Sequence, residues 1–493
     1  MPASQPKSLK QRFFSAAALS IAERILTFLI QTGTTLILAR ILMPADFGLV
    51  GMVMPVIMVF QVMGNMGLTM AVLQRREVTP SQLSSLFYFN MSVSVVLAGV
   101  LYLSAPLISN FYDAPQVDPI AQLFSLVILL AGASALQTSL LQRELKFGAI
   151  LVAHVISQIG SSVVGIWMAL EGFGFMALAW RSVSQPAIYS GIVWLRSGWL
   201  PGLPEWSVEV KNMVGFGGFS AGFNLLNTMG RQIDNVLIGW RYGPHELGPY
   251  SVAYRIFVTP NRMLAGPLAQ VVIPVLSRLV DDPKRYSRWF LSILRLLTLV
   301  IFPPLFALSP VSGALVNGVL GYQWSAATPI VGWLLPIAAL QASYTTIGWL
   351  MLSIGRADRQ MRWGLISIPV FILSFVVGLP WRAEGVAISY AVANIAMFVP
   401  AFWYATQGTP VTLTEILRAL SPGVGAAIAS FVGVSFVIEF VGIKSTLPAV
   451  LVACGIAAVV TLLVAIFYYG WSAVTEAPRK VRDFGLFGDK NRS

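Results

Sequence analysis

The sequence is poor in charge, cysteine and histidine. Charged residues make up 11% of its 493 positions, whereas about a quarter is usual in soluble domains. The lone cysteine, Cys454, excludes intramolecular disulfides and cysteine-rich metal sites. The two histidines, His154 and His245, lie in different predicted segments and give no basis for a serine or cysteine triad. No stretch is long and polar enough to form a soluble ATP-binding domain. The sequence therefore does not predict a protein that is driven directly by ATP hydrolysis.

Apolar residues, at 56%, are what the sequence has in excess. A helix that crosses the hydrocarbon core of a bilayer needs about 20 mostly apolar residues, and fourteen such windows recur along the chain. They cover residues 14–38, 47–73, 83–107, 120–141, 149–170, 173–195, 213–239, 247–275, 289–309, 326–350, 363–379, 386–403, 419–440 and 447–467. The sequence therefore predicts an all-α polytopic membrane protein with 14 transmembrane helices.

The distribution of basic residues predicts the orientation of these helices. Of the 32 lysines and arginines, 22 fall in one alternate set of connections and in the two terminal segments, whereas the other set holds only Arg40, Arg241, Arg382 and Lys444. Basic residues concentrate in cytoplasmic loops. Both termini are therefore expected to face the cytoplasm.

An internal repeat divides the chain into halves. Residues 37–48 align with residues 237–248 at an offset of 200, which pairs Pro44 with Pro244 and Gly48 with Gly248. Six helices per repeat is an even number, so the halves are expected to be parallel repeats forming two six-helix lobes around a central cleft. The predicted domains are an N-lobe (1–196), a cytoplasmic linker (197–212), a C-lobe (213–410), two extra C-terminal helices (411–470) and a cytoplasmic tail (471–493).

Arginines inside predicted spans are the candidate functional residues. Each costs roughly 3 kcal/mol at the centre of an inserted helix, so such residues normally face a cavity or a partner. Arg295 lies near a cytoplasmic end, where its side chain can snorkel to the interface. The remaining five are candidates for binding an anionic substrate: Arg24, Arg181, Arg231, Arg255 and Arg262.

The buried acids in these charged helices are too few to neutralise the arginines. Glu23 and Asp234 are candidates for ion pairing or for coupling, and Asp234 is three residues from Arg231 on the same helical face. The surplus of guanidinium groups favours a bound phosphate or carboxylate, although internal pairing stays an alternative. His154 is a second candidate for a coupling proton or for a structural role. No metal-ligand cluster and no metal or organic cofactor is expected; the coupling ion, H⁺ or Na⁺, is left open.

Six segments carry a resemblance to a known family. They are Leu38–Leu49, Val72–Val78, Leu141–Phe147, Asp234–Gly239, Leu247–Tyr254 and Pro274–Asp282. Together they resemble the polysaccharide transporter branch of the multidrug/oligosaccharidyl-lipid/polysaccharide exporter superfamily, and within it Wzx-type flippases of colanic acid and other exopolysaccharide pathways. One departure is that Trp240 stands between Gly239 and Arg241, where the family often has arginine directly after the glycine.

The resemblance implies a function. Members of this branch flip undecaprenyl-diphosphate-linked oligosaccharide repeat units across the bacterial inner membrane by alternating access, for exopolysaccharide or lipopolysaccharide synthesis. It implies no enzymatic activity and no nucleic-acid partner. The implied partners are the lipid-linked glycan and membrane lipids, together with a polysaccharide polymerase and a chain-length regulator.

Two other functions stay open at this stage. A cation-coupled multidrug exporter of the same superfamily would favour a surplus of buried carboxylates rather than arginines. A membrane polymerase or ligase acting on lipid-linked glycan would favour a large outer loop, and every predicted outer loop is short.

Overall fold

A computed structural model describes residues 9–65, 72, 78–205, 228–230, 232–255, 259–441 and 447–469. Every regular element in these ranges is helical, which confirms the all-α prediction. The α-helices are α1 (Leu9–Ile41), α2 (Pro44–Asn65), α3 (Pro80–Tyr112), α4 (Val117–Arg143), α5 (Phe147–Leu170), α6 (Phe175–Ser197), α7 (Ile233–Tyr242), α8 (Pro244–Ala253), α9 (Thr259–Arg278), α10 (Pro283–Leu308), α11 (Ser312–Val319), α12 (Ala327–Ser353), α13 (Ala357–Gly378), α14 (Arg382–Thr406), α15 (Leu413–Val441) and α16 (Leu447–Tyr469).

Local sequence signals set several helix boundaries. Helix α3 begins at a capping box, in which the Gln82 backbone N–H donates to Thr79 Oγ1 and the Thr79 N–H donates to Gln82 Oε1. Helix α10 begins after Asp282, whose Oδ1 accepts from the Arg285 N–H, and Pro283 occupies the first helical position. Such caps satisfy backbone donors that have no partner inside the helix.

Within the described ranges, ten candidate spans, one of them the 50-residue run over α13 and α14, are long and apolar enough to cross a membrane. The protein is therefore a multi-pass membrane protein. The number fourteen stays a prediction, because the window at 213–239 falls largely on residues outside the described ranges. The connection between the predicted windows 289–309 and 326–350 contains a short helix, α11, followed by a 3₁₀ turn at Tyr322–Trp324.

The chain packs as two compact units. Unit 1 comprises Met1–Val252 and Ile368–Ser389, and unit 2 comprises Ala253–Ser367 and Tyr390–Ser493. Unit 1 thus joins the first-half helices to α7, most of α8 and the tip of the α13–α14 hairpin. The lobe boundaries expected from the sequence stay a prediction.

Small and polar residues let the helices of unit 1 approach closely. Asn90 of α3 donates its side-chain N–H to the Gly132 carbonyl of α4 over 2.9 Å. Close approach at glycine and serine is the usual means of helix association in lipid, where burying apolar area gives little gain. The first part of the predicted linker packs against α3. Ser85 Oγ of α3 donates to the Glu205 carbonyl and accepts from the Glu205 N–H.

Unit 2 is built on larger side chains. Tyr286, Phe290 and Leu294 of α10 are fully buried with Leu350 of α12 and Phe402 of α14. Helix α15, one of the two helices beyond the repeat, also packs along α10. Helix α15 therefore contributes to the core of unit 2.

Candidate functional site

A polar cluster in unit 1 contains two of the candidate residues. Glu23 of α1 faces His154 of α5, with Oε1 and Nε2 3.5 Å apart. The His154 ring packs on the Tyr189 ring of α6 at a centroid distance of 4.4 Å. The Tyr189 hydroxyl is in turn 3.0 Å from Thr138 Oγ1 of α4. Four helices therefore hold one acid and one imidazole in contact.

The packing of α1 against α5 explains this placement. Farther along the same pair of helices, Thr34 Oγ1 donates to Ser162 Oγ over 2.6 Å. Ser157 and Ser161 are buried on α5 and present little bulk. Since small side chains allow close helix approach, the two helices bring Glu23 within reach of His154.

Arg24 follows Glu23 directly but is not part of this cluster. Successive helical residues are separated by about 100° around the axis, and the Arg24 side chain is exposed whereas Glu23 is half-buried. Arg24 has no salt bridge with any residue that the structure describes. The Arg24 guanidinium is therefore available to bind an anion. Arg24 is the third residue of the apolar stretch Ala22–Ile41.

Three further arginines have different surroundings. The aliphatic part of Arg181 packs on Gly165 of α5, where a Cβ would lie 3.0 Å from Arg181 Cβ. Arg255 is half-buried and lies in a π-helical turn directly after α8, a geometry that is frequent at functional sites. Arg295 is half-buried, and its Nε is buried with no hydrogen-bond partner among the described residues.

Asp234 is buried and fully engaged at both carboxylate oxygens. The Tyr250 hydroxyl donates to Oδ2 over 2.9 Å, and the Asn235 backbone N–H donates to Oδ1 over 2.8 Å. Arg231 and the side chain of Arg262 lie outside the described residues. The predicted pairing of Asp234 with Arg231 and the anion-binding role of the five arginines stay predictions.

The structure brings Glu23 and His154 together and adds Tyr189 and Thr138, which the sequence analysis missed. Threonine and tyrosine are common in membrane helices, so no pattern in the sequence marked these two. Within the described ranges, no group of three or more His, Cys, Asp or Glu residues could hold a metal ion. The chemistry available is proton exchange at an acid–imidazole pair beside an exposed guanidinium.

The sequence is similar to proteins of polysaccharide biosynthesis. Residues 37–329 match a family described as polysaccharide biosynthesis protein. The teichuronic acid biosynthesis protein TuaB of Bacillus subtilis (strain 168) is 27% identical over 366 residues, which cover 73% of this chain and 75% of TuaB. The lipopolysaccharide biosynthesis protein WzxC of Escherichia coli (strain K12) is 23% identical over 397 residues, 79% of this chain and 80% of WzxC.

The fold is also found in a solved structure. The lipid II flippase MurJ, in an inward closed conformation, superposes with a TM-score of 0.72 at 15% identity. The match covers 92% of this chain and 99% of MurJ. At this identity the likeness concerns the fold.

Proposed function

The chain belongs to the polysaccharide biosynthesis protein family, and from that premise we propose that it is a secondary transporter. Its substrate is an undecaprenyl-diphosphate-linked oligosaccharide repeat unit, which it flips across the bacterial inner membrane by alternating access. Both termini face the cytoplasm in this proposal. The names of TuaB and WzxC support a glycan as cargo, and the fold shared with the lipid II flippase MurJ supports a lipid-linked one. The activity is transport, and the chain itself makes or breaks no bond of the glycan.

The observation that carries the proposal is that Arg24 forms no salt bridge with the adjacent Glu23. Glu23 is in contact with His154, and Arg24 is exposed without a salt bridge to any described residue. A guanidinium in an apolar helix is costly unless it has an anionic partner. A diphosphate is the constant part of every such substrate and fits the planar donor fork of arginine. Arg181, Arg231, Arg255 and Arg262 complete the proposed anion-binding set.

The same substrate explains why a protein is needed. Phosphate charge and sugar hydroxyls pass hydrocarbon prohibitively slowly because they lose their hydration. A polar path bordered by guanidinium groups replaces that hydration, while the polyprenyl tail stays in the bilayer. A polysaccharide polymerase and a chain-length regulator are the protein partners that this role implies.

We also propose that the Glu23–His154 pair takes up the coupling ion and that this ion is a proton. An intramembrane carboxylate in contact with an imidazole is a group that exchanges protons. The Tyr189 ring packs on the imidazole, and the Thr138 hydroxyl contacts the Tyr189 hydroxyl, so this packing restrains the orientation of the imidazole. Glu23 is on the helix that carries Arg24, so proton uptake by the pair changes the local charge beside the proposed phosphate site.

Reconstitution tests the proposed substrate. The purified protein is placed in liposomes containing a fluorescent undecaprenyl-diphosphate-linked oligosaccharide, and a membrane-impermeant quencher reports the rate at which the headgroup changes leaflet. We expect Arg24→Ala to slow this rate at least about tenfold, since a charge-assisted hydrogen bond contributes about 1.5–3 kcal/mol. Arg24→Lys should retain part of the rate.

Arg285→Ala is the matched control. Arg285 is exposed at the start of α10 beside Asp282, so its loss should leave the rate unchanged. A normal rate in Arg24→Ala would remove Arg24 from the substrate site. Failure of the wild-type protein to move the lipid-linked glycan, with transport of a cationic drug instead, would replace the proposal by multidrug export.

A further inference from the structure

The starts of two repeat-related helices meet in unit 1. Helix α2 begins with Pro44-Ala-Asp-Phe-Gly48, and α8 begins with Pro244-His-Glu-Leu-Gly248. A Cβ placed on Gly48 would lie 2.7 Å from Pro244 Cα and would overlap the Pro244 carbonyl oxygen. A Cβ placed on Gly248 would overlap the Pro44 carbonyl oxygen in the same way. We call residues 44–48 and 244–248 the Pro–Gly contact.

The Pro–Gly contact is reciprocal. Gly48 contacts Pro244, and Gly248 contacts Pro44. Such an exchange of equivalent contacts is typical of a two-fold symmetric interface. The paired residues are 200 positions apart, which is the offset of the sequence repeat. Both glycines are buried. Backbone therefore lies against backbone here, and only glycine permits so close an approach.

A second layer of close packing lies one turn beyond the contact. A Cβ at Gly51 would be 3.4 Å from Leu247 Cδ2 and 3.6 Å from Ser251 Oγ. A Cβ at Gly239 would be 3.2 Å from both Met52 Cγ and Tyr112 Cε1. Apart from the Ser251 hydroxyl, the groups in contact in this layer are carbon atoms, which pack directly against the glycines.

Two polar contacts lie at the rim of this layer. Arg382 Nη1 is 3.3 Å from Glu246 Oε1, and the Tyr242 hydroxyl donates to the Leu379 carbonyl over 2.7 Å. The Arg382 side chain is 71% exposed, and an exposed ion pair contributes about 0–1 kcal/mol. Neither of these contacts joins residues 44–48 to residues 244–248, where the close approaches are between glycine and proline backbone. The two segments can therefore part without leaving a buried charge unpaired, which a gate that opens in every transport cycle requires.

We propose that the Pro–Gly contact is a gate, closed in this structure, that seals the transport path at the end where α1 passes into α2. By the expected orientation this is the periplasmic end, where the glycan leaves. The role of the gate in export rests on the proposed transport function. The opening and closing of the contact can be measured whatever the substrate is. It assigns Gly48 and Gly248 a shared role: their missing side chains set the stability of the closed state.

Cysteine labelling tests the gate without any substrate. The probe is Ser251→Cys in a Cys454→Ser background, because Ser251 is half-buried one turn below the contact, with Oγ 3.0 Å from the Gly248 carbonyl oxygen. In intact cells a membrane-impermeant maleimide should label this cysteine slowly. Gly48→Ala or Gly248→Ala should each accelerate labelling about tenfold, because the added methyl group destabilises the closed state relative to the open one.

The control and the double variant sharpen this test. Gly99→Ala adds the same methyl group to α3 at a place where nothing lies within 4 Å of it, so labelling should not change. The double variant Gly48→Ala/Gly248→Ala should label no faster than either single variant, because one separation relieves both overlaps. Labelling rates that are equal in the glycine variants and in Gly99→Ala would overturn the proposal.

A cross-link tests the gate even where an alanine variant fails to fold. Ala45→Cys/His245→Cys in the Cys454→Ser background places one thiol on each side of the Pro–Gly contact, directly after Pro44 and Pro244, where a cleavable bifunctional reagent can join them. We expect the cross-linked protein to lose lipid-linked glycan translocation and to regain it on reduction. Continued translocation by fully cross-linked protein would overturn the gate, whereas the uncross-linked sample reports on the proposed function by itself.

Discussion

Glu23 and Arg24 are adjacent in sequence, yet their side chains have different environments. Glu23 is directed to His154 on α5, whereas Arg24 is exposed beside it. A salt bridge between the two would have left neither available for function. The contact with His154 instead separates the proposed proton-exchanging group, Glu23, from the proposed anion-binding group, Arg24, on one helix.

Replacement of Glu23 by glutamine should uncouple translocation from a proton gradient. The amide keeps the size of the side chain but cannot take up a proton, so an imposed pH gradient should no longer accelerate headgroup movement in liposomes. Glu144→Gln is the control, because Glu144 pairs with Lys146 at an exposed site. A glutamine variant that responds to the gradient as the wild type does would place coupling elsewhere.

The Tyr250 hydroxyl should contribute measurably to stability through Asp234. A hydrogen bond to a charged group contributes about 1.5–3 kcal/mol, and Tyr250→Phe leaves the buried Asp234 carboxylate without this donor. We expect a lower thermal unfolding temperature in detergent, measured by retention of the monodisperse peak. Tyr322→Phe, at a residue that is 75% exposed, should unfold as the wild type does. An unchanged temperature in Tyr250→Phe would show that Asp234 has another sufficient donor.

The ionisable residues of the site could be identified from the sequence, but their partners could not. Charges are rare in apolar windows, so Glu23, Arg24 and His154 stand out at once. The contact between Glu23 and His154 depends on the rotation of α1 about its axis and on the small residues of α5, which hydropathy does not specify. Tyr189 and Thr138 give no such signal, since both are ordinary residues of membrane helices.

At the scale of helices, apolar windows predicted the elements well but not their ends. The windows underestimate helix lengths because helices continue into the interface, as α3 does from its capping box at Thr79 to Tyr112. They also miss breaks inside a window. The predicted span at 247–275 contains the end of α8 and the π-helical turn at Arg255, since a change in helix winding leaves the hydropathy unaltered.

The packing of α15 on α10 yields a prediction at this scale. A Cβ at Gly423 would lie 2.8 Å from Thr298 Cβ and 2.9 Å from the Thr298 carbonyl carbon. Gly423→Ala must therefore push the two helices apart, at a cost of about 1–3 kcal/mol. Gly425→Ala, two residues along the same helix with nothing within 4 Å, should be neutral or stabilising, because alanine favours the helix by up to about 1 kcal/mol.

Thermal unfolding in detergent compares these two variants. The expected order of stability is Gly425→Ala equal to or above wild type, and Gly423→Ala below both. Equal unfolding temperatures for the two variants would mean that α15 does not approach α10 as closely as the structure shows.

For the molecule as a whole, the sequence repeat predicted equivalent segments but not their contact. Pro44 and Pro244 align, and so do Gly48 and Gly248, which indicates two similar helix starts. Alignment alone does not tell whether such starts touch or lie far apart. Their reciprocal contact is a property of the conformation, and a transporter that alternates between conformations has at least one other arrangement of the same residues.

The orientation of the chain in the membrane can be tested across a single helix. Lys146 precedes α5 and Glu171 follows it, and both residues are exposed. If the helix spans the bilayer and the termini are cytoplasmic, Glu171→Cys in a Cys454→Ser background should react with a membrane-impermeant maleimide in intact cells. Lys146→Cys should react only after permeabilisation, because basic residues are retained on the cytoplasmic side. The reverse pattern would invert every loop and move the Pro–Gly contact to the cytoplasmic end, whereas labelling of both cysteines from outside would exclude α5 as a span.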